Sequence, residues 1–359
     1  MKRTHHDRLA AELLTEDGLT FARRKLLALL RRVADRGATG PGLCITSLCA
    51  VAAMLSANGG SSGVDHDVRR RDRLILERLL LTGTWRRLKT LDFGWRAALA
   101  TIAGLYPHFG EPLGYLRDMA ALAERGDRVL VADPILLDGP PGTGKSTLAE
   151  QLPALFAGGY QRLAMSMAQS SGGLGGSETF WYNTQVGAVF KALVDGECAN
   201  PLFLLDEIDK VSGRHGYDPL GPLFQLLEPA QACRWVDVSM PSLTLDASRI
   251  LWVATSNERR LIPGPLLQRF MVFEIPLPTA DQRHAIIASV DAALKRDDPR
   301  LAGLEIGDSA VAMLVGLAPR EIRQRLRQAY GRAAYDGRNR VHAGDLDLRH
   351  TGAPRIGFC

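Results

Sequence analysis

The sequence predicts an α/β fold built on a parallel sheet, and three observations lead to this prediction. Between residues 135 and 275, short apolar runs alternate with helical stretches, which is typical of parallel strands joined by helices. A glycine-rich loop comes directly after the first of these runs. Helical patterns flank this region on both sides, so we expect a helical N-terminal region and a C-terminal all-α domain.

Five strands are predicted within the α/β region, and each is an apolar run of the length that suits a buried strand. They are residues 135–138, 162–166, 202–206, 250–255 and 271–275. In an open parallel sheet the ligand lies beyond the carboxyl ends of the strands. The polar residues that follow these runs are therefore candidates for a functional site.

The same patterns predict the domain organisation. We expect a helical region of unknown role over residues 1–103, an α/β domain over 104–278 and a small all-α domain over 279–359. Turns are expected at 106–107 and 110–112, before a helix over 113–125. The helices of the C-terminal domain are predicted at 280–295, 309–317 and 320–335.

The N-terminal region offers one candidate interaction surface. Residues 19–33 have the pattern of a basic amphipathic helix, which would bind nucleic acid or an acidic partner, or would pack one stripe and expose the rest. Glycine and serine over 58–63 indicate a flexible linker, and a charged helix is expected over 69–81. No recognisable chemistry accompanies these segments.

Composition narrows the class of protein. The 359 residues are 46% hydrophobic, which is typical of a folded globular chain. The net charge of +5 is too small to indicate nucleic-acid binding by itself. Five cysteines without a C-x-x-C pair favour a reducing compartment and argue against structural zinc. The longest apolar run, 43–57, is shorter than the roughly 20 residues of a membrane span, so we interpret it as a buried helix. With no signal segment at the start, a cytoplasmic location is expected.

The glycine-rich loop has the pattern G-x-x-x-x-G-K-[ST], which is typical of phosphate binding. Its residues are Gly139, Pro140, Pro141, Gly142, Thr143, Gly144, Lys145, Ser146 and Thr147. Glycines let backbone N–H groups approach phosphate oxygens, and a helix N-terminus adds positive potential. We expect Lys145 to reach the β- and γ-phosphates of a bound nucleotide, and the Ser146 hydroxyl to be a ligand of Mg²⁺.

Two carboxylates end the apolar run 202–206. Asp206 is expected to hold Mg²⁺, directly or through water, and Glu207 to polarise a water molecule for attack on the γ-phosphate. Acidic pairs also end strands for structural reasons. The phosphate loop about 60 residues upstream favours the catalytic interpretation.

Three further polar residues are weaker candidates. Asn257 follows the run 250–255 and could bind the attacking water or the γ-phosphate, although Asn is also common in turns. Arg269 comes just before the last predicted strand, and Arg320 opens a C-terminal helix. Each arginine could bind phosphate or could be an ordinary surface residue.

The run from Asn200 to Lys210 resembles the Walker B region of the Lon-type AAA+ ATPases. Three further segments are similar to the same family: Tyr217–Leu220, Leu226–Pro229 and Ile262–Arg269. The similarity extends over about 110–359 and is most specific from 134 to 275. It implies a P-loop NTPase fold with a five-stranded parallel sheet and a C-terminal all-α lid.

The resemblance also implies a role for each candidate residue. Lys145 and Ser146 would be Walker A residues, Asp206 the Walker B aspartate, Glu207 the catalytic glutamate and Asn257 the sensor-1 residue. These roles imply ATP and Mg²⁺ as cofactors.

Two arginines and one hairpin complete the implied site and assembly. Arg269 would be the arginine finger supplied to a neighbouring subunit, in a homo-oligomeric ring that we expect to be a hexamer. Arg320 resembles the sensor-2 residue, in a segment that fits other AAA+ branches better than Lon. Residues 235–241 correspond to a hairpin that Lon-like proteins insert before sensor 1.

The chain departs from Lon at two points. Lon proteins carry a protease domain after the lid, whereas this chain stops at Cys359, so we expect no peptidase activity. The pore loop that in Lon has an aromatic, an aliphatic residue and a glycine aligns with Trp181-Tyr182-Asn183. This loop keeps aromatic bulk that could grip an extended peptide, or Trp181 could pack in the core.

Two functions are consistent with the sequence. The first is an ATP-hydrolysing motor that remodels or threads a protein without a protease of its own. The second is a nucleotide-gated scaffold or switch that acts on a protein complex or on nucleic acid. The aromatic pair Trp181-Tyr182 favours the first. The basic N-terminal helix and the arginine-rich helix at 320–340 keep the second open.

Overall fold

The computed structural model describes residues 40–57, 66–168, 170–177, 185–211, 218–317 and 319–346. The basic helix predicted at 19–33, the linker at 58–63 and the aromatic pair Trp181-Tyr182 lie outside these residues. The chain divides into two compact units. Among the described residues, one unit consists of residues 40–92 with Met119–Leu136 and Leu152–Met271, and the other of Phe93–Asp118, Leu137–Gln151 and residues 272–346. The domain boundaries predicted at 103 and 278 stay predictions.

The strands and helices are numbered in chain order. The strands are β1 Gly42–Cys44, β2 Trp85–Arg87, β3 Ile135–Asp138, β4 Tyr160–Ala164, β5 Leu202–Asp206, β6 Trp235–Val236, β7 Thr244–Leu245, β8 Leu251–Ser256, β9 Met271–Glu274, β10 Glu305–Ile306 and β11 Arg340–Val341. The helices are α1 Leu48–Ala57, α2 His66–Thr82, α3 Trp95–Leu105, α4 Gly110–Glu124, α5 Lys145–Ala149, α6 Leu152–Phe156, α7 Gly172–Gly175, α8 Ala188–Asp195, α9 Leu223–Leu226, α10 Pro229–Ala232, α11 Gly264–Leu267, α12 Ala280–Asp297, α13 Asp308–Leu314 and α14 Pro319–Tyr335.

A five-stranded parallel sheet in the order β4-β5-β8-β3-β9 confirms the predicted fold class. Every residue of β3, β5 and β8 is buried, which explains their continuous apolar runs. The register pairs Leu202 with Tyr160 on one side and with Leu251 on the other. Strand β4 begins two residues before the predicted position. It is an edge strand with exposed residues, and its weak apolar pattern does not mark its start.

The described part of the N-terminal region, which we predicted to be helical, contains helices α1 and α2 and also two short strands. Strands β1 and β2 form an antiparallel ladder that pairs Leu43 with Arg86. The apolar run 43–57 therefore begins as a strand, and among residues 48–55 of α1 only Val51 is fully buried. A strand partner some 40 residues away is invisible in the local pattern. None of the described helices combines the length and apolarity that crossing a membrane would require.

Residues 110–112, predicted as a turn, instead form the start of helix α4. Proline is tolerated in the first turn of a helix because the backbone N–H that it lacks would have no intrahelical partner there. The segment Gly110-Glu111-Pro112 therefore begins the helix rather than preceding it.

The C-terminal helices form their own core but are not the only regular structure there. Residues that include Ile286, Leu314, Leu326 and Tyr330 pack in one buried cluster. A capping box between Thr279 and Gln282 begins α12. The expectation of an all-α domain is corrected by β10 and β11, which pair in parallel. The predicted hairpin is present as the antiparallel pair β6 and β7.

Candidate functional site

The phosphate loop begins with a glycine that the fold requires. Gly139 follows β3 directly, and a Cβ atom at this position would lie 2.3 Å from the backbone oxygen of Ile275. Ile275 also donates its N–H to the Asp138 carbonyl at 2.6 Å. The strand that precedes the loop and the segment after β9 are therefore in close backbone contact, which leaves no room for a side chain at Gly139.

Lys145 is held inside the loop. Its side chain is largely buried, and Nζ donates to the carbonyl oxygens of Gly139 at 2.7 Å and Pro140 at 2.8 Å. Thr143 donates its hydroxyl to the Pro140 carbonyl at 3.1 Å. The ammonium group of Lys145 is thus fixed by the backbone of the loop, and Ser146 follows it in the first turn of α5.

Asp206, the last residue of β5, is a buried carboxylate with two donors. The Thr255 hydroxyl donates to Oδ1 at 2.7 Å, and the Arg162 guanidinium donates to Oδ2 at 2.6 Å. Thr255 comes from β8 and Arg162 from β4, the strands on either side of β5. The sheet therefore places one neutral and one charged donor on this carboxylate.

Glu207 leaves the strand in an unusual backbone conformation. Its φ of 56° and ψ of 52° lie in the left-handed region, which residues other than glycine rarely adopt. Its N–H donates to the Thr255 hydroxyl oxygen at 3.0 Å, so the same hydroxyl serves Asp206 and Glu207. The Glu207 side chain is exposed. Strain of this kind is frequent at functional sites, and it turns Glu207 away from the strand direction.

The remaining candidates differ in how firmly they are held. Asn257 is half-buried directly after β8. Arg269 lies 3.2 Å from Glu228 through its Nε atom and donates to the Pro265 carbonyl, and its guanidinium lies 5.4 Å from the centre of the Phe224 ring. Arg320 is exposed in the first turn of α14.

The two compact units hold different candidates. Asp206, Glu207, Asn257 and Arg269 lie in the first unit, and Thr255 joins the first two of them. The phosphate loop, residues 139–147, and Arg320 lie in the second unit. Among the described residues, no group of three or more His, Cys, Asp or Glu side chains could hold a metal ion by itself.

Sequence reasoning missed Thr255, Arg162 and His108. His108 contacts the backbone of the phosphate loop, with Nε2 at 2.8 Å from the Thr143 oxygen. The one signal for Thr255 was a hydroxyl residue at the polar end of an apolar strand, close to Asn257. Arg162 and His108 gave no signal, because each acts on a residue that is remote in the sequence.

The comparisons with known proteins point to one family. Residues 135–277 match the model of the ATPase family associated with various cellular activities (AAA). The Lon protease of Lachnoclostridium phytofermentans is 27% identical over 56% of this chain and 24% of its own length. Lon protease 1 of Sorangium cellulosum is 27% identical over 63% of this chain and 28% of its own length. The Lon protease of Halothermothrix orenii is 32% identical over 47% of this chain and 21% of its own length.

The chain thus spans about a quarter of the length of these Lon relatives. Among solved structures, a RuvB variant of Thermotoga maritima matches with a TM-score of 0.47 and 18% identity, over 65% of this chain and 66% of that one. The family match covers all five strands of the parallel sheet, the phosphate loop after β3 and the acidic end of β5. Residues 135–277 therefore match the AAA family of ATPases, and this chain is similar to one part of the Lon proteases.

Proposed function

We propose that this chain is a Mg²⁺-dependent ATPase that uses hydrolysis to remodel or thread a protein, without cleaving it. The main support for ATP hydrolysis is the pair of acidic residues at the end of β5. There a buried Asp206 is held by two donors, and an exposed Glu207 follows in a constrained conformation. This separation of one fixed and one accessible carboxylate suits a metal-binding residue beside a general base.

Nucleotide binding is assigned to the phosphate loop. Lys145 would exchange its two carbonyl contacts for the β- and γ-phosphates, and glycine N–H groups of the loop would donate to phosphate oxygens. Because the ammonium group is already held within the loop, little side-chain entropy would be lost when it binds.

The donor set fits Mg²⁺. In nucleotide sites this ion takes one or two protein oxygens and completes its octahedron with phosphate oxygens and water. The Asp206 carboxylate and the Ser146 hydroxyl would supply two oxygen ligands of that kind. A Mg²⁺ site of this type does not need a cluster of three acidic side chains. Bound Mg²⁺ would neutralise charge on the phosphates. Arg162 already balances the Asp206 charge, so it would have to release one carboxylate oxygen.

The other candidates are assigned to the reacting γ-phosphate. Glu207 would accept a proton from the attacking water, and Asn257 would hydrogen-bond to that water or to the phosphate. Arg269 would stabilise charge on the phosphate bound by a neighbouring subunit in a homo-oligomeric ring, which we expect to be a hexamer. Arg320 would contact the nucleotide of its own subunit.

Two substitutions test these roles. Lys145→Ala should weaken binding of ATP, whereas Glu207→Gln should bind ATP normally and hydrolyse it very slowly, since only the base is lost. Binding of a fluorescent ATP analogue and release of phosphate measure the two steps separately. Equal loss of binding in both variants would contradict the assignment of Glu207.

The substrate class is tested by stimulation of ATP hydrolysis. An unfolded protein such as casein should raise the rate and remain intact during the incubation. The second candidate, a nucleotide-gated switch on a complex or on nucleic acid, is favoured by the basic composition of residues 19–33. Stimulation by DNA and not by casein would support that switch, and fragments of casein would disprove the absence of proteolysis.

A further inference from the structure

The peptide group that joins Thr143 to Gly144 in the phosphate loop is held in one orientation by a contact from outside the loop. Thr143 lies between Gly142 and Gly144, whose φ angles of 81° and 92° are both in the left-handed region. Glycines give this segment the freedom to reach that shape, and the same freedom lets the intervening peptide groups rotate. A contact that fixes the orientation of the Thr143 carbonyl would therefore decide the shape of the loop.

His108 makes that contact from outside the loop. Its ring is buried in the short turn Pro107–Phe109, and Nε2 lies 2.8 Å from the Thr143 carbonyl oxygen. A carbonyl oxygen can only accept, so Nε2 carries the hydrogen and donates it. The ring also packs against Phe109, with the two centres 4.4 Å apart.

The surroundings of the ring keep it neutral. Burial lowers the pKa of His108, and this effect exceeds the opposing influence of the bond to Thr143. The Nδ1 atom is buried, and no described residue hydrogen-bonds to it. A second proton at Nδ1 would therefore be a buried donor without an acceptor. The neutral ring with hydrogen on Nε2 satisfies the Thr143 carbonyl at no such cost.

Because the peptide bond is planar, a contact that fixes the Thr143 carbonyl also fixes the direction of the Gly144 N–H. In a trans peptide the C=O and the following N–H point in opposite directions, and the described chain contains no cis peptide. When His108 holds the Thr143 oxygen, the N–H of Gly144 must point away from His108. That N–H cannot turn without breaking the histidine contact.

We propose that His108 is a positioning residue of the phosphate loop, which orients the Thr143–Gly144 peptide so that the Gly144 N–H can donate to a bound phosphate. This proposal rests on the proposed nucleotide binding. His108 touches no reacting atom in it. The residue acts only through the backbone of the loop.

The test compares three variants by titration with Mg²⁺ and the slowly hydrolysed analogue ATPγS. His108→Phe keeps a ring but removes the donor, and it should weaken binding about tenfold. His108→Gln restores an N–H donor at about the reach of Nε2 and should bind within about threefold of the unchanged protein. His284→Phe is the matched control, because exposed His284 also contacts a backbone carbonyl, that of Ala280, on α12.

Hydrogen exchange of the nucleotide-free protein tests the same constraint without any ligand. His108→Phe should speed exchange of the backbone amides over 139–146, whereas His108→Gln and His284→Phe should not. If the phenylalanine variant does not fold, His108→Asn replaces it, since its shorter amide cannot reach Thr143.

The outcomes separate this proposal from the proposed function. Unchanged exchange in the folded variants that lack the donor, or a glutamine variant as impaired as they are, would overturn the role of His108. Failure of the unchanged protein to bind ATPγS would instead overturn nucleotide binding, and the exchange data would still decide whether His108 fixes the loop.

Discussion

Thr255 connects the two carboxylate residues at the end of β5 through a single hydroxyl. It donates to Asp206 and accepts from the backbone of Glu207, so its one hydrogen and one of its lone pairs are used. Both partners depend on it in different ways. Asp206 gains a buried donor, and Glu207 gains an acceptor that stabilises its left-handed backbone.

Replacing Thr255 by Val keeps the shape of the side chain and removes both bonds. We expect kcat for ATP hydrolysis to fall at least about tenfold, while affinity for ADP changes less than about threefold, because the phosphate loop is not altered. Stability should fall by about 1–3 kcal/mol, since a buried acceptor and a backbone donor lose their partner. Initial rates and urea unfolding measure these effects.

Thr101→Val is the control for the Thr255 variant. Thr101 is exposed on α3 and donates to the Ala97 carbonyl at 2.9 Å, so the same exchange removes a hydroxyl that solvent can replace. It should change neither the rate nor the stability measurably. An unchanged kcat in Thr255→Val would show that the bridge does not position Glu207.

The residues of the candidate site were predictable where the chemistry is local in the sequence. Lys145 and Ser146 follow their glycines directly, and Asp206 and Glu207 end one apolar run. Thr255 and Arg162 lie 49 and 44 residues from Asp206. Their contacts depend on strand order and register, which a single-sequence pattern does not contain.

At the scale of elements, the hairpin of β6 and β7 places Asp237 against two glycines, Gly176 and Gly187. Asp237 accepts from the N–H of Gly187 at 2.9 Å and from the N–H and hydroxyl of Ser239. A Cβ atom at Gly176 would lie 1.9 Å from the Asp237 carboxylate. The fully buried Asp237 side chain therefore binds the backbone of Gly187 and leaves no room for a side chain at Gly176.

Burial raises the pKa of Asp237 above its ordinary value and outweighs the three hydrogen bonds that favour its charge. A raised folded-state pKa means that the folded protein binds the proton more tightly than the unfolded chain. The contribution of Asp237 to stability is therefore largest below pH about 3.9, and it decreases as the pH rises through the folded-state value.

We expect the stability difference between the unchanged protein and Asp237→Asn to be larger at pH 4 than at pH 8. Urea unfolding at several pH values measures it. Asp246→Asn is the matched control, because Asp246 accepts from the N–H and hydroxyl of Ser248 in the same Asp-x-Ser arrangement but is only half-buried. A difference that grows towards pH 8 would contradict the sign of the shift.

The C-terminal helices depend on packing around α14. Leu326 and Tyr330 are fully buried in the cluster there, and Tyr330 also donates to Asp291 on α12. Leu326→Ala should lower the free energy of unfolding by about 2–5 kcal/mol, because it removes buried methyl groups and leaves a cavity. Gln328→Ala, on the exposed face of the same helix, should change it by less than about 0.5 kcal/mol. Similar losses in both variants would contradict this core.

Two of the predicted elements, β5 and β8, are wholly buried strands. Strands β5 and β8 have a continuous apolar pattern, and their positions were found within one residue. The short pairs β1 with β2 and β10 with β11 have two or three residues each, and their partners lie far along the chain. Such ladders are fixed by packing, because two or three residues contain no usable periodicity.

At the scale of the whole molecule, the proposed ring depends on Arg269. Within one chain this guanidinium lies against Glu228 and Phe224, with 23% of its side chain exposed. To stabilise the phosphate of a neighbouring subunit, it would have to leave the Glu228 carboxylate. Assembly would therefore replace one carboxylate contact by a phosphate contact, for which the planar guanidinium is well suited.

Arg269→Ala should bind ATP nearly normally and hydrolyse it about 10³-fold more slowly or worse, the range measured for arginine fingers in other systems. Arg269→Lys should not restore the rate, because an ammonium group lacks the planar fork. Measurements of nucleotide binding and turnover on the same preparations separate the two effects.

Mixing variants decides whether Arg269 acts between subunits. Arg269→Ala keeps an intact phosphate loop, and Lys145→Ala keeps an intact arginine, so a mixed ring rebuilds complete sites where the two meet. The mixture should hydrolyse ATP faster than either variant alone. Arg269→Ala mixed with the double variant Lys145→Ala/Arg269→Ala is the control, because no complete site can form from that pair.

If the first mixture forms mixed rings and gains no activity, Arg269 does not act on the neighbour. If the ATP-bound protein is a monomer at micromolar concentration, the ring is disproved and the switch function is favoured.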